Sequence, residues 1–318
     1  MNKIWYDVFL EELHKRYPQK SALTEALMDL LLIEREAVYR RLRKDVIFPV
    51  DEVVKIALSW NISLDEVIGI HSSEVSFKTQ LLNYIYPSDK ELEHMQRIIR
   101  WCNSLKEIPD LEYLEACNKM PRSLSSGFPY LRRLELLHWM HQHGYEEVLP
   151  FSQIVFPPEA ADLSTEYNLC MKNLATTSYI WDEMLFQHIV RGIQYLQSVD
   201  LIDDDEKKLI KEDLYDFLDY MSKVAEKGHW LETGNKVNLY ISRINIETNY
   251  SYFYSEEVRL CIVHAFVKNE IYTTHQPMVE NFKRWMQLKK RASVLISEAD
   301  ERSRINFFRN QRSLIDGL

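Results

Sequence analysis

Glycine and long apolar runs are both scarce in this chain. Only 7 of its 318 residues are glycine, and no hydrophobic stretch approaches the length that spans a bilayer. Hydrophobic residues nevertheless make up 46% of the sequence and aromatic residues 12%. This composition is typical of an ordered, helix-rich protein, because abundant apolar side chains offset the entropy cost of folding. Charged residues interrupt the apolar ones in the first seventeen positions, so we expect no signal peptide, no membrane partner and a cytoplasmic protein.

Cysteine is also sparse, and its spacing carries no pattern. Cys102, Cys117, Cys170 and Cys261 stand far apart without a C-x-x-C pair, which excludes the usual signature of a disulfide framework or a thiolate zinc site. We therefore expect reduced, buried thiols and no cofactor.

Short catalytic signatures are missing as well. The sequence contains no G-x-G-x-x-G, no phosphate loop ending in G-K-[ST], no H-E-x-x-H and no G-x-S-x-G. His138, His141 and His143 suggest a metal site only superficially, because the pattern supplies no further ligand at a known spacing. The expectation is a protein that is not an enzyme, although scattered catalytic residues in the carboxy-terminal part would leave no such signature.

Positive charge is concentrated in one place, although the chain has a formal net charge of −9. Residues 34–44 hold five basic and two acidic side chains. Two explanations compete: a solvated helix face, or a surface that meets phosphate.

The first seventy residues predict five short helices. Apolar residues recur at steps of three and four in segments that begin near Ile4, Ser21, Glu34, Val53 and Ser63. Ser21 is the expected cap of the second helix, and Ser63-x-x-Glu66 is a capping box that opens the fifth. A tight connection at Leu32-Ile33 joins the second and third helices.

This stretch resembles the Cro and phage-repressor type of helix-turn-helix family. The resemblance covers roughly residues 5–70 and is clearest in Pro49, Ile56-Ala57 and the segment Ile62 to Glu66. The sequence departs from the family at the turn, where glycine is usual and Leu32-Ile33 stands here.

The resemblance implies that the third helix enters the major groove of double-stranded DNA. It assigns base contacts to Arg35, Glu36 and Arg40, and backbone contacts to Arg41, Arg43 and Lys44. Tyr39 either packs within the domain or touches a thymine methyl group. A single small DNA-binding domain buries little DNA surface, so a homodimer is expected.

The rest of the chain is expected to be mainly α. Helices are predicted near residues 163–175, 181–197 and 203–228. Helix caps are expected at Ser88-x-x-Glu91, at Asp203 with Gly228 ending the helix, and at Ser297-x-x-Asp300 before a final helix. Alternating or β-branched runs after Gly234, at residues 236–247, 256–266, 270–274 and 292–297, predict three or four strands in a small antiparallel sheet. The tail from Lys283 to Arg312 holds nine basic and three acidic residues, for which packing against the acidic middle is favoured over a second phosphate-binding surface.

The predicted domains are a helix-turn-helix domain at 1–72, a helical domain at 73–230 and an α+β part at 231–318 that packs with the helical domain. We expect a bacterial transcriptional regulator that binds DNA through its first domain. The remainder would serve dimerisation or the sensing of an unidentified small-molecule or peptide effector. The alternative is a protein-interaction adaptor that keeps the helix-turn-helix fold without binding DNA.

Overall fold

The computed structural model describes residues 5–60, 62–68, 75–79, 89–143, 148–155, 157–265 and 269–318. Two compact units make up the chain, the first covering residues 1–76 and the second residues 77–318. Among these residues, no helix combines the length and the apolar character needed to cross a membrane.

Five helices form the first unit where the apolar periodicity placed them. They are α1 (Trp5–Arg16), α2 (Lys20–Leu31), α3 (Arg35–Leu42), α4 (Val50–Trp60) and α5 (Leu64–Ile68). Each of the longer helices turns one apolar stripe inward, and the fully buried apolar side chains are Phe9, Leu13, Leu23, Leu27, Val38 and Ile56. The cap of α2 differs from the prediction, because Gln19 precedes the helix and Ser21 lies inside it. The side chain of Glu66 in the predicted capping box of α5 lies outside the described residues.

The turn between α2 and α3 is made without glycine. Leu32 adopts the left-handed conformation, with φ 56° and ψ 44°, and its backbone N–H donates to the carbonyl of Met28. Its side chain is 85% exposed. A leucine therefore occupies a left-handed backbone conformation that glycine adopts more readily, at a steric cost of about 1 kcal/mol.

The second unit combines helices with one large sheet. Its helices are α6 (Asp89–Leu105), α7 (Arg122–Ser125), α8 (Pro129–Gln142), α9 (Pro158–Lys172), α10 (Leu185–Ser198), α11 (Asp204–Lys227), α12 (Gln276–Arg291) and α13 (Glu301–Asp316). Its strands are β1 (Lys78–Thr79), β2 (Glu112–Cys117), β3 (Thr176–Asp182), β4 (Lys236–Ser242), β5 (Tyr250–Tyr254), β6 (Arg259–Ala265), β7 (Asn269–Thr273) and β8 (Val294–Leu295).

The strands lie in the order β1-β7-β6-β5-β2-β3-β4-β8. The pairs β2–β3 and β3–β4 are parallel, and the remaining pairs are antiparallel. Helices α7, α8 and α9 connect β2 to β3, and α10 and α11 connect β3 to β4, as parallel neighbours require long crossovers.

The prediction of a mainly α protein with a small antiparallel carboxy-terminal sheet is therefore wrong. The second unit is an α/β structure with a mixed sheet of eight described strands, three of which (β1, β2 and β3) lie in the segment 73–230 that was expected to be helical. The parallel centre explains the error. Six consecutive residues of β3 are buried on one face or the other, so the strand lacks the period-two alternation by which half-buried strands are recognised.

The two faces of the sheet are covered by different helices. Leu114 and Ala116 of β2 pack with Val279, Phe282 and Met286 of α12. Tyr113 and Cys117 belong to the larger core on the opposite face, which is built mainly by α8, α10, α11 and α13. Alternate residues of β2 thus serve two separate cores, as the pleat of a strand dictates.

The predicted helix ends in this unit have three outcomes. Asp203 caps α11 through a reciprocal capping box with Glu206, and Gly228 ends the helix in the left-handed conformation, so this prediction is confirmed. Asp300, not Ser297, caps α13, because the Ser297 hydroxyl accepts from the backbone N–H of Leu239 instead. Of the predicted capping box Ser88-x-x-Glu91, Ser88 and the side chain of Glu91 lie outside the described part of the chain.

Candidate nucleic-acid interface and a polar cavity

Helix α3 exposes one continuous polar face. Glu36, Arg40 and Arg43 follow one another at steps of four and three residues, which places them on the same side of a helix. All three side chains are exposed, and so is Arg35 at the start of the helix. The buried side of α3 is carried by Val38. Four of the predicted contact residues therefore lie together on the solvent side.

The exposed arginines differ in their partners. Arg43 is 2.9 Å from Glu36, and Arg35 is 3.8 Å from Glu25, with the arginine side chains each 55% exposed. Exposed pairs of this kind contribute about 0–1 kcal/mol, so an incoming phosphate can displace the carboxylate. The guanidinium of Arg40 forms no ion pair or hydrogen bond with any residue in the described ranges.

Arg41 lies on the opposite side from these residues. Its Nε and Nη2 atoms donate to the two carboxylate oxygens of Glu52 at 2.6 and 2.7 Å, and its Nη1 donates to the carbonyl of Ala37. The side chains of Arg41 and Glu52 are only 14% and 15% exposed. The pair joins α3 to α4, so the predicted contact between Arg41 and the DNA backbone does not fit this position.

Lys44 and Tyr39 flank the exposed face. Lys44 has φ 69° directly after the end of α3, and its ammonium group pairs with Asp7 of α1. Tyr39 is partly buried, and the cationic groups of Lys20 and Arg43 lie 5.9 and 6.0 Å from the centre of its ring. Tyr39 thus lies between two basic side chains, at the outer limit of a cation–π contact with each.

Helix α4 carries an apolar stripe on its outer side. Val50, Val54 and Leu58, at steps of four residues, are 79%, 39% and 79% exposed. The adjacent Ile47 is 54% exposed. Such a contiguous arrangement on a small domain is typical of a surface that associates with another protein.

The side chains of His138, His141 and His143 contact different partners. His141 packs against the ring of Tyr195, and the Nδ1 atom of His143 lies 2.9 Å from the carbonyl oxygen of Trp139. His138 faces α10 instead. No group of three His, Cys, Asp or Glu side chains able to hold a metal occurs in the residues that the structure describes.

The basic tail is partly paired, which agrees with the favoured explanation for some of its residues. Lys283 lies 2.7 Å from Glu112, Arg312 pairs with Asp219, and the buried Arg304 donates to the carbonyl of Ile296. Arg284, Arg291 and Arg302 are exposed and have no ion pair within the described ranges.

A cavity of about 320 Å³ lies in the second unit, at the edge of the sheet where β2 and β6 end and β5 begins. We call it the β2–β6 cavity. Its floor is formed by Asn118 and Lys119 after β2, Thr248 and Asn249 before β5, and His264 and Ala265 at the end of β6. Its walls are α8 and α10. Ligands of open α/β sheets commonly bind at such carboxyl ends of parallel strands.

Helical spacing builds both walls of this cavity. Leu131, Leu134 and His138 of α8 lie on one helical stripe, and His188 and Gly192 of α10 lie on another. Gly192 makes room for the ring of His138, since a Cβ atom at position 192 would stand 3.0 Å from its Cε1 and Nε2 atoms. Burial lowers the pKa of His138 to about 4, so its imidazole is neutral at physiological pH.

The floor of the β2–β6 cavity is fixed by the side chain of Asn249. Its Oδ1 accepts from the backbone N–H groups of Asn118 and Lys119 at 3.1 and 3.0 Å, and its Nδ2 donates to the carbonyl of Lys119. Because Asn249 is itself buried, these bonds hold the segment after β2 in one conformation.

A buried carboxyl group lies beside the β2–β6 cavity. Glu115 of β2 is almost fully buried and accepts a hydrogen bond from the hydroxyl of Tyr113 at 2.7 Å. Burial raises the pKa of Glu115. The imidazole of His264 lies 4.0 Å from Glu115 and 3.9 Å from Glu270, and these two carboxylates flank its two ring nitrogens.

The residues of the β2–β6 cavity were not identified from the sequence as a site, and of them only His138 was singled out, as a possible metal ligand. One signal was present: Glu115 interrupts the apolar run from Tyr113 to Cys117, and a charge within such a run marks a buried polar group. His264 and Asn249 carry no such signal, because only the pairing of β5 with β2 and β6 brings them beside β2.

Comparison of the chain with protein-family models, curated proteins and solved structures found no match.

Proposed function

We propose that this protein is a sequence-specific DNA-binding transcriptional regulator of the bacterial cytoplasm, with α3 as its recognition helix. The proposal rests on a difference in exposure among the arginines in and just after α3. Arg35, Arg40 and Arg43 present their charges to solvent, whereas Arg41 fastens the helix to α4. A rigid helix with an exposed cationic face is what major-groove recognition requires.

The roles within this proposal follow from the positions. Arg40 and Arg35 contact base edges, with Glu36 as the acceptor for a cytosine amino group. Arg43 and Lys44 hold the phosphate backbone after giving up their carboxylate partners, Glu36 and Asp7. Arg41 positions the helix and is not proposed to contact DNA.

A homodimer is part of the proposal, because one small domain buries too little DNA for specific affinity. Two copies would place their recognition helices about 34 Å apart, one turn of the duplex. The second unit supplies the dimer contacts or responds to an effector.

The test is fluorescence anisotropy of the full chain with a labelled duplex across a range of salt concentrations. Binding through phosphates weakens steeply with salt, and each lost contact lowers the slope of log K against log salt by about 0.9. We expect the Arg40→Ala/Arg43→Ala variant to bind more weakly with a shallower slope. The matched control is Arg243→Ala/Arg309→Ala, which removes two exposed arginines of the second unit. Equal binding by wild type and the α3 variant would refute the assignment of α3.

A second candidate is a protein-interaction adaptor, and the apolar stripe of α4 favours it. An adaptor would bind duplex with no salt-dependent component attributable to α3. Its binding to a partner protein would instead be lost when Val50 and Leu58 are changed to serine. These residues are exposed, so the change leaves the fold of the first unit intact.

A further inference from the structure

The β2–β6 cavity has the size and the composition of a small-molecule site. Its volume of about 320 Å³ lies at the lower end of the range of about 300–1,000 Å³ in which proteins bind organic ligands. Leu131, Leu134 and Ile189 supply an apolar wall, and polar groups from three other segments converge opposite them. This mixture is typical of a binding site and differs from a packing defect, which is apolar throughout.

The charges around the cavity favour an anion. Two cationic side chains, Lys119 and Arg122, line it against one anionic side chain, Glu135, in a chain whose overall charge is strongly negative. Lys119 is exposed at the rim, and its ammonium group forms no ion pair within the described ranges. The ammonium group of a lysine and the guanidinium group of an arginine are donors that suit carboxylate or phosphate oxygens.

Other ligand classes fit the cavity less well. None of the lining residues is phenylalanine, tyrosine or tryptophan, so the described part of the wall offers no large aromatic face for a nucleobase or a quaternary ammonium, and its aromatic rings are the small imidazoles of His138, His188 and His264. His138 and His264 are not grouped with a third metal ligand among the described residues. His264 is held between Glu115 and Glu270 and belongs to the supporting network.

We propose that the β2–β6 cavity binds a small organic anion, a carboxylate or phosphate monoester with a short apolar portion. The anionic group lies between Lys119 and Arg122, and the apolar portion lies against Leu131, Leu134 and Ile189. Asn249 is a positioning residue, since it fixes the backbone that carries Lys119. This inference stands apart from DNA binding, because every residue in it belongs to the second unit.

Four probes of similar size separate charge from shape: phenyl phosphate, benzoate, benzyl alcohol and phenyltrimethylammonium. Isothermal titration calorimetry of the full chain with each probe gives the affinity. We expect saturable one-to-one binding of at least one anionic probe, and the stronger of the two anions identifies the group that the cavity prefers. Benzyl alcohol and phenyltrimethylammonium should bind at least about tenfold more weakly, because they form no charge-assisted hydrogen bond.

The Lys119→Gln variant tests the site without disturbing the fold, since the side chain is exposed and carries no ion pair within the described ranges. We expect this variant to bind the anionic probe about tenfold more weakly than wild type and to have the same melting temperature. Arg309→Gln, which removes an exposed cation from a separate groove beside α13, is the control and should bind as wild type does.

Three outcomes would overturn the proposal. They are no binding of any probe at millimolar concentration, equal affinity for benzyl alcohol and the anions, and an equal loss of affinity for the anionic probe in Lys119→Gln and Arg309→Gln. Duplex binding plays no part in this measurement, so its result is independent of the test of α3.

Discussion

The guanidinium of Arg41 and the carboxylate of Glu52 form a two-point ion pair, at 2.6 and 2.7 Å, that joins the third helix to the fourth. Both side chains are largely shielded from water. The neighbouring Arg40 points to solvent on the same helix. Two consecutive arginines thus have separate roles, one in stability and one, by our proposal, in DNA binding.

Replacing each arginine should separate these roles. We expect Arg41→Ala to lower the free energy of unfolding of the first unit by roughly 2–4 kcal/mol, because it leaves the Glu52 carboxylate without its shielded partner. Arg40→Ala should change that free energy by less than about 0.5 kcal/mol. Hydrogen exchange of amides in α3 and α4, followed by mass spectrometry of the full chain, measures both. An Arg41→Ala/Glu52→Ala double variant should lose less unfolding free energy than the sum of the losses in the two single variants. Strictly additive losses would contradict the pairing.

Glycine at position 32 should stabilise the first unit. Leu32 has φ 56° and an exposed side chain, so Leu32→Gly relieves the left-handed backbone without opening a cavity. We expect a gain of about 0.5–1 kcal/mol, since the relief exceeds the extra chain entropy of glycine in the unfolded state. Leu32→Ala is the matched control, because alanine keeps the steric conflict and should leave stability nearly unchanged. A loss of stability in the glycine variant would mean that the leucine side chain makes contacts that its exposure does not reveal.

The stability of the second unit should fall as the solution becomes mildly acidic. The pKa of His138 is lowered from 6.5 to about 4 by burial, so between these values the unfolded chain binds a proton that the folded chain excludes. The contribution of His138 is fully present above pH 6.5 and is lost as the pH falls toward 4, up to roughly 3 kcal/mol.

The His138→Gln variant isolates this contribution. Urea unfolding from neutral pH to about pH 5 should show a smaller pH dependence for His138→Gln than for wild type. His188→Gln, which changes an exposed histidine on the facing helix, should keep the wild-type dependence. Identical pH profiles for wild type and His138→Gln would show that the imidazole is protonated without penalty in the folded state.

The helices of the first unit were predictable because the spacing of apolar residues within each segment indicates a helix. Val53, Ile56 and Ala57 repeat at helical spacing, and they are the residues that α4 buries. The position of Arg41 could also have been inferred, since it follows the buried Val38 by three residues and therefore lies near the buried side. The family resemblance assigned it to DNA because a list of basic residues does not distinguish the two sides of a helix.

The strands β4, β6, β7 and β8 were predicted from their composition, but the strands that organise the sheet were not. The segment Thr176–Asp182 stands between two helices and is buried on both faces, so neither its period nor its surroundings marks it as a strand. The short β5 was missed as well, and with it the antiparallel link between β2 and β6.

The sequence by itself determined the helical first unit, the ends of α11 and the concentration of positive charge on α3, because periodicity, capping and charge are properties of neighbouring residues. The tertiary structure alone decided which arginine of α3 faces solvent, the parallel centre of the sheet and the cavity where Lys119, His138 and His264 meet. Those features depend on contacts between residues far apart in the chain, and local side-chain chemistry does not specify which distant strands will pair.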